Sequence, residues 1–332
     1  MSARRLLLLS PGFHGYWRAI SAAFKTLGYD VHSHPYDEHS SVLERAQNKL
    51  MHELPESLRW RAAEGSATDR AISVLRSTRF DAVVVVKGDQ LGAGWWDALA
   101  ASNVPSVVWL YDEIRRTRYT TQVLSEVGPI ASYSLSDVEA LRSDGLTVGH
   151  VPLGFDSLLG YSTVPSSSLT LVGARYENRE ALVREVQAGG VPVRAYGREW
   201  SRNFWDVVRT RRITSPGVPS GPDLGRSAAY GVMAGSLATL NIHSDQDGFT
   251  MRTFEAAGVG ALELVDRADV ADFYEVGEEV LVFEGSQDII ELLHRAQRDT
   301  QWSTRIRTAA RERTLAEHTL VHRARALEAF WV

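Results

Sequence analysis

The sequence predicts an α/β protein made of two Rossmann-like, doubly wound parallel-sheet domains. Three observations point there. The chain has 332 residues, about twice a usual domain. Short apolar, β-branched runs alternate with stretches of helical spacing, as expected for strands buried on both faces and covered by helices. One strand–turn–helix–strand unit opens each half, at residues 6–32 and again at 169–194, and a stretch rich in Ser, Gly and Pro separates the halves.

Leu6 to Leu9 form the first strand, which ends in Ser10-Pro11-Gly12-Phe13-His14-Gly15. The spacing predicts a helix from Tyr16 to about Leu27, stopped by Gly28, and a second strand near Asp30 to His32. Residues 37–70 are polar, with Leu43, Leu50, Leu54 and Leu58 at helical spacing, and read as an inserted helical excursion at the surface or over the cleft. Further strands are expected at 81–86, 105–110, 130–134 and 148–151. In the second half Leu169 to Val172 is a strand, Glu177 to Ala188 a helix, and Gly189-Gly190 its stop. Strands follow at 191–194, 237–241, 261–264 and 280–283, then helices over 286–298 and about 304–330. The expected organisation is a first domain over 1–152, a linker over 153–168 and a second domain over 169–312. A terminal helix over 313–332 is placed to pack back on the first domain.

Composition narrows the function. Hydrophobic residues at 44% and charged residues at 23% are ordinary for a soluble globular chain. There is no cysteine, which excludes a disulfide scaffold, thiol catalysis and a thiolate zinc site. A net charge of −5 argues against a dedicated nucleic-acid binder. Only Lys25, Lys49 and Lys87 are lysines, an arginine bias read as coding drift. No apolar run reaches membrane-spanning length. Leu6 to Leu9 behind Arg4-Arg5 is too short for a signal peptide, so a cytoplasmic protein is expected.

Ligands of open parallel sheets bind beyond the carboxyl ends of the strands. That rule selects Gly12 to Gly15, Lys87-Gly88-Asp89, Tyr111-Asp112-Glu113 and Ser134 to Asp137 in the first half. In the second half it selects Gly173 to Arg179, Tyr196-Gly197-Arg198 and Asn241 to Arg252. Two sheets facing each other with such loops define an interdomain cleft. The densest stretch runs from His243 to Gly258, leaving an apolar strand and opening a helix. A glycine in the turn, Gly248, admits close backbone approach, and free N–H groups at a helix start attract phosphate. Arg252 adds a charge-assisted contact. Asp247 and Glu255 offer carboxylates to sugar hydroxyls; the plainer alternatives are a helix cap for Asp247 and a surface position for Glu255. Asp245-Gln246-Asp247 is also a D-x-D pattern, and His32-x-His34 and His318-x3-His322 have metal-compatible spacing, but no third ligand lies nearby and no metal site is assigned. There is no P-loop, nucleophile elbow or G-x-G-x-x-G, which disfavours a dehydrogenase.

Asp247-x-Phe249-x5-Glu255 with Ala256-Ala257-Gly258 resembles the E-x7-E region of GT-B glycosyltransferases, with Asp for the first Glu. Leu171-Val172-Gly173 with Asn178-Arg179 is similar to the opening of a GT-B donor domain, and Val151 to Asp156 to the start of its linker. Phe273 to Val280, with Glu317-His318-Thr319 and Arg323, resembles the C-terminal part of CgeB-like (spore-maturation-type) members. The resemblance covers roughly residues 150–330. It implies a GT-B fold and transfer of a sugar from a nucleotide-diphosphate sugar to an acceptor hydroxyl in the cleft; a UDP-sugar is the working donor, with the donor's base and sugar left open. No metal or other cofactor is implied. Glu255 would hold the ribose and Asp247 the transferred sugar. Backbone from Gly248 through Phe249 and Thr250 to Arg252, with Arg175 or Arg179, would hold the diphosphate. Residues 212–218 would lie near the base, and Gly173, Gly197, His243 and Thr253 complete the donor side. Thr250 stands where many relatives have Gly. For a base that deprotonates the acceptor, Asp112 is the first choice and His14 the second. Lys87, Asp89 and Trp17 are acceptor-side candidates. The acceptor, a small molecule, glycan, protein or modified DNA base, is left open, as is stereochemistry, with retention slightly favoured. The competing reading is a nucleotide-sugar binding protein without turnover, or a two-domain partner-binding protein.

Overall fold

The computed structural model describes residues 3–37 and 56–331; the side chains of 56–63 fall outside that set. The chain forms two compact units, Met1–Leu153 with Leu320–Val332, and Gly154–Thr319. Each is built on a sheet of six parallel strands.

In the N-terminal unit the strands are β1 (Arg4–Ser10), β2 (Tyr29–Pro35), β3 (Ala82–Val86), β4 (Ser106–Leu110), β5 (Ile130–Ser132) and β6 (Val148–His150). Their order is β2-β1-β3-β4-β5-β6. Leu6 to Leu9 and Val83 to Val86 are fully buried, as continuous apolar runs require when helices cover both faces. The helices are α1 (Tyr16–Thr26), α2 (Glu56–Ser77), α3 (Ala93–Ser102), α4 (Thr121–Glu126) and α5 (Leu135–Ser143). Of the excursion expected over 37–70, Leu43, Leu50 and Leu54 lie outside the described residues, as does the Leu58 side chain; the described part is α2. The strand expected to reach residue 134 stops at Ser132. Ser134 instead caps α5, its hydroxyl accepting from the Asp137 N–H at 3.1 Å. Direction reverses between β1 and β3, which makes their carboxyl ends this sheet's switch point.

The C-terminal unit holds β7 (Leu169–Val172), β8 (Val193–Tyr196), β9 (Ser220–Gly221), β10 (Ala238–Asn241), β11 (Glu263–Val265) and β12 (Leu281–Val282). Their order is β12-β11-β10-β7-β8-β9, the dinucleotide-fold order read from its far edge, with the switch point between β7 and β10. The helices are α6 (Glu177–Ala188), α7 (Phe204–Thr210), α8 (Arg226–Gly235), α9 (Met251–Gly258), α10 (Ser286–Arg298) and α11 (Thr300–Glu317). Residues expected to be linker are bound into this unit. Val164 N–H donates to Gly231 O at 2.9 Å and Ser166 N–H to Gly235 O at 2.8 Å. A Cβ at Gly231 or Gly235 would sit 2.1 Å from a carbonyl oxygen of that stretch, so α8 needs both glycines for the backbones to meet.

The single helix expected over 304–330 is two, α11 and α12 (Leu320–Glu328). The break is at His318 and Thr319, where the His318 carbonyl accepts from the Phe155 N–H at 2.9 Å and Thr319 bridges to Phe155. Beyond it α12 belongs to the N-terminal unit, with Arg323 Nε donating to Leu153 O at 2.9 Å and the Tyr29 hydroxyl to Glu328 at 2.7 Å. Among the described residues no helix is long and apolar enough to cross a membrane.

Candidate functional site

The loops leaving β7 and β10 meet at the C-terminal switch point, and Arg179 joins them. Its Nη1 donates to Ala174 O at 3.4 Å and its Nη2 to Ile242 O. Gly173 leaves room for this, since a Cβ there would lie 3.1 Å from Nη1. Asn178 Nδ2 donates to Ser244 Oγ at 2.9 Å across the same gap. The Arg179 Nε is buried with no hydrogen-bond partner, and no ion pair neutralises Arg179 among the described residues. Burial pushes its pKa down and the Arg252 charge pushes further, against Tyr176 and Asp266. A half-buried cation without a bonded counter-charge favours the approach of an anion.

Helix α9 begins beside it. Thr250 is its N-cap, and no side chain caps the first turn, so the leading N–H groups keep their attraction for negative charge. Asp247 therefore does not act as the cap. The carbonyls of Gln246 and Asp247 accept from Arg267 Nη1 at 2.6 and 2.7 Å. The same guanidinium lies 4.4 Å from the centre of the Phe249 ring, which meets His243 edge-on at 4.8 Å. Arg267 thus shapes the turn that carries Gly248.

A directional polar chain lies buried under the start of α9. Asn241 Nδ2 donates to Thr253 Oγ1 at 2.7 Å and to Glu263 Oε1 at 3.1 Å. Thr253, having accepted, gives its own proton to His243 Nε2 at 3.0 Å. His243 then donates from Nδ1 to Asp266 at 2.9 Å, a tautomer assigned from the network. Asp266 also accepts the His243 backbone N–H at 2.9 Å. Burial alone would raise the Asp266 pKa, but these bonds from His243 carry it below the usual range. Glu263 is the opposite case. Burial holds its pKa well above the carboxylate range despite the Asn241 bond, and its Oε2 has no partner. His243 and Thr253, expected on the donor side, are enclosed and set the position of the α9 start from beneath.

Glu255 is fully buried. Its carboxylate accepts from the Tyr230 hydroxyl at 3.1 Å and from Arg252 Nη1 at 2.7 Å. Arg175, expected near the phosphates, is buried as well. Every nitrogen of its guanidinium is bonded: Nε to Glu180 at 2.6 Å, Nη1 to Thr214 O at 2.8 Å, and Nη2 to Glu180 at 2.8 Å. It ties residues 214–215 to α6. Gly197 has φ 156°, and a Cβ on it would sit 2.4 Å from Gly173 O. That carbonyl accepts from Trp200 Nε1 at 3.0 Å, so Gly197 serves the junction of β7 and β8.

The carboxyl ends in the N-terminal unit hold a different set. Lys87 follows β3 with φ 62° and Gly88 with φ 77°. A left-handed lysine is strained and persists only where its surroundings enforce it. Here the Tyr119 hydroxyl donates to Lys87 O at 2.7 Å, and the Gly88 N–H to the Tyr36 hydroxyl at 3.2 Å. Lys87 Nζ pairs with Asp112, which follows β4, at 3.3 Å. Asp112 does not cap a helix; the next turn starts from Glu113. The Asp89 Oδ1 is buried without a partner. His14 is exposed with φ 45° in the turn after β1, and Trp17, at the start of α1, carries the Arg18 guanidinium 4.5 Å from its ring centre. Lys87 and Asp112 are brought into contact; His14 and Trp17 lie on the neighbouring β1 side of the same sheet edge.

Tyr230, Asp266, Arg267 and Glu263 were not among the expected residues. The carboxyl-end rule that selected the other loops also selects Asp266-Arg267 after β11.

A family profile described as glycosyl transferase-like matches residues 177–329. No curated protein sequence matches the chain. Sucrose-phosphate synthase from Thermosynechococcus elongatus superposes with TM-score 0.68 at 14% identity, covering 99% of this chain and 98% of that one. Anabaena HepE in complex with UDP-glucose gives 0.63 at 13%, covering 98% of each chain. T4 phage BGT with its UDP-glucose substrate gives 0.57 at 10%, again covering 98% of each. Two six-stranded parallel sheets with flanking helices, and a glycosyl transferase-like region over residues 177–329, give this chain the GT-B glycosyltransferase fold.

Proposed function

We propose that the protein is a glycosyltransferase that moves a sugar from a UDP-sugar to an acceptor hydroxyl. The observation that carries the reading is Arg179, a half-buried arginine with a buried, unpartnered Nε at the β7/β10 switch point, beside the uncapped start of α9. An anion of two linked phosphates answers both features. The solved structures of HepE and T4 phage BGT hold UDP-glucose on the same fold, which supports uridine as the base. Within the glycosyltransferases we place the chain with the CgeB-like group. The support is the Phe273 to Val280 stretch, joined to the Glu317-His318-Thr319 stretch by His318 Nε2 and Phe273 O at 3.0 Å.

Donor binding exchanges partners. Arg252 turns from Glu255 to the phosphates, and Glu255, still fixed by Tyr230, takes the ribose hydroxyls. Asp247, on the turn shaped by Arg267, faces the transferred sugar. As the bond from the anomeric carbon to phosphate breaks, its electron pair leaves with the diphosphate. Arg179, Arg252 and the α9 N–H groups stabilise that developing charge without a metal. The acceptor oxygen forms the new bond, and its proton passes to Asp112, whose carboxylate Lys87 holds in place. His14 is the alternate base, and the unpartnered Asp89 oxygen is a ready acceptor for a substrate hydroxyl.

Calorimetry with uridine, guanosine and thymidine diphosphates, paired with a donor-hydrolysis assay, tests the proposal. UDP binding with turnover of a UDP-sugar is the expected result. Binding without turnover on any donor makes the chain a nucleotide-sugar binding protein. No binding of any diphosphate overturns both.

A further inference from the structure

Helix α7 buries none of its side chains. It is well formed nonetheless: the Asn203 side chain caps it by accepting from the Trp205 N–H at 3.0 Å, and the Thr210 hydroxyl donates back to Asp206 O at 2.8 Å. Its apolar residues face water, with Phe204 at 69%, Trp205 at 68% and Val208 at 55% exposure, and Ile213 at 87% shortly after it. Phe204 and Trp205 pack edge-on at 5.4 Å, so they form one patch. Ordinary soluble helices turn such a stripe inward, and an exposed contiguous patch of this kind marks an interaction site.

At about 100° per residue, Phe204, Val208 and Trp205 fall within one arc of roughly 100°, and Arg209 flanks it. Arg202, Arg209 and Arg211 are all exposed, and none makes an ion pair among the described residues. Residues 202–213 hold four arginines and one acid in a chain of net charge −5. The local sign is therefore opposite to that of the molecule. Aromatic and aliphatic side chains on one face, bordered by arginines, are the composition of a helix that lies in a bilayer interface. Phosphodiester recognition would use the arginines and the aromatic rings, but it leaves the exposed Val208 without a role.

We infer that this segment docks the protein peripherally on an anionic phospholipid surface. Phe204, Trp205 and Val208 enter the headgroup–acyl boundary, and Arg202, Arg209 and Arg211 pair with lipid phosphates. The seven-residue helix is far too short to span, so the attachment is reversible and salt-sensitive. The inference stands apart from sugar transfer, because it concerns the exposed helix and needs no donor.

The test is flotation of the purified full chain with vesicles of phosphatidylcholine alone or mixed equally with phosphatidylglycerol. Binding to the mixed vesicles only, weakened by added salt, is expected. The Trp205→Ser/Val208→Ser and Arg209→Gln/Arg211→Gln variants should each lose about tenfold in affinity while unfolding at the wild-type temperature, since the altered side chains are exposed. Failure to float with anionic vesicles overturns the inference. So does equal flotation of the variants, retention by double-stranded DNA without vesicle binding, or a concentration-dependent dimer that the variants abolish without any vesicle binding.

Discussion

Replacing Arg179 with Met separates its place in the fold from its work on the donor. The substitution keeps an unbranched stem and removes the guanidinium. It forfeits hydrogen bonds to the carbonyls of Ala174 and Ile242, costing about 1–2 kcal/mol. It also relieves a half-buried charge whose pKa is depressed by desolvation and its repulsion with Arg252. The two effects oppose, so stability should change by no more than about 1 kcal/mol, a shift of a few degrees in unfolding temperature. Donor affinity has no such offset. One charge-assisted contact to phosphate contributes about 1.5–3 kcal/mol, so the Kd for UDP should rise roughly ten- to a hundredfold. Uridine carries no phosphate, and its affinity should hold. Arg179→Lys, a point charge without the fork, should fall between. Titration calorimetry with UDP and uridine, beside a denaturation curve, reads all of this. UDP affinity within about twofold of wild type, or parallel losses for UDP and uridine, would refute the assignment of the switch point to the diphosphate.

Burial raises the Glu263 pKa in the fold, so wild-type stability should fall as pH rises above the unfolded glutamate pKa of ~4.3, by up to about 1.4 kcal/mol per pH unit. Glu263→Gln should flatten that decline between about pH 5 and 8, seen in urea midpoints; an unchanged slope counts against a protonated Glu263. Asp112→Asn should lower kcat by about 10²–10³-fold with UDP affinity intact; full turnover would eliminate it as the base. Glu255→Gln leaves Arg252 without its anion and should cost about 1–3 kcal/mol while weakening UDP about tenfold. A thermal loss with unchanged UDP affinity confines Glu255 to the fold. Arg267→Ala frees the Gln246 and Asp247 carbonyls and should weaken UDP-sugar more than UDP, read by calorimetry with both; equal losses argue against Asp247 facing the sugar.

What was legible in the sequence was what local pattern determines. Val83 to Val86, and Leu169, Leu171 and Val172, are apolar because both sheet faces are covered, and α6 spans the predicted 177–188 with Gly189 next to its end. The break between α11 and α12 was not legible, because it arises from pairing with Phe155, remote in sequence. Two-residue β9 carries no period to read. At the site, Gly248 to Glu255 stood out through helix-start chemistry. The roles of Glu263 and Asp266 come from the register of β10 on β11, which sets Thr239 opposite Glu263 and Asn241 opposite Val265. Arg175 and Arg179 look alike in sequence. Only the fold shows that Glu180 occupies the first and that the second spans two strands' ends.

Each unit carries a six-stranded parallel sheet with its own strand order, and under the proposed function charge pairing favours the C-terminal unit for the diphosphate. In the N-terminal unit the cations beyond β3 and β4 are already matched, Lys87 by Asp112 at 3.3 Å and Arg115 and Arg116 by Glu113 at 2.8 and 2.9 Å. A dianion arriving there would first have to displace a carboxylate. In the C-terminal unit Arg179 has no such partner to lose, and the nearby helix start adds aligned N–H groups. Arg252 is intermediate: it is paired with Glu255, but one side of that pair reaches solvent and the other is buried, so the arginine is the member able to move. Arg179, half-buried and already tied to the ends of two strands, is the cation that gains most from a phosphate. The unit with the Lys87–Asp112 pair keeps a carboxylate with a cation beside it, an arrangement suited to accepting a proton from a hydroxyl rather than to holding an anion.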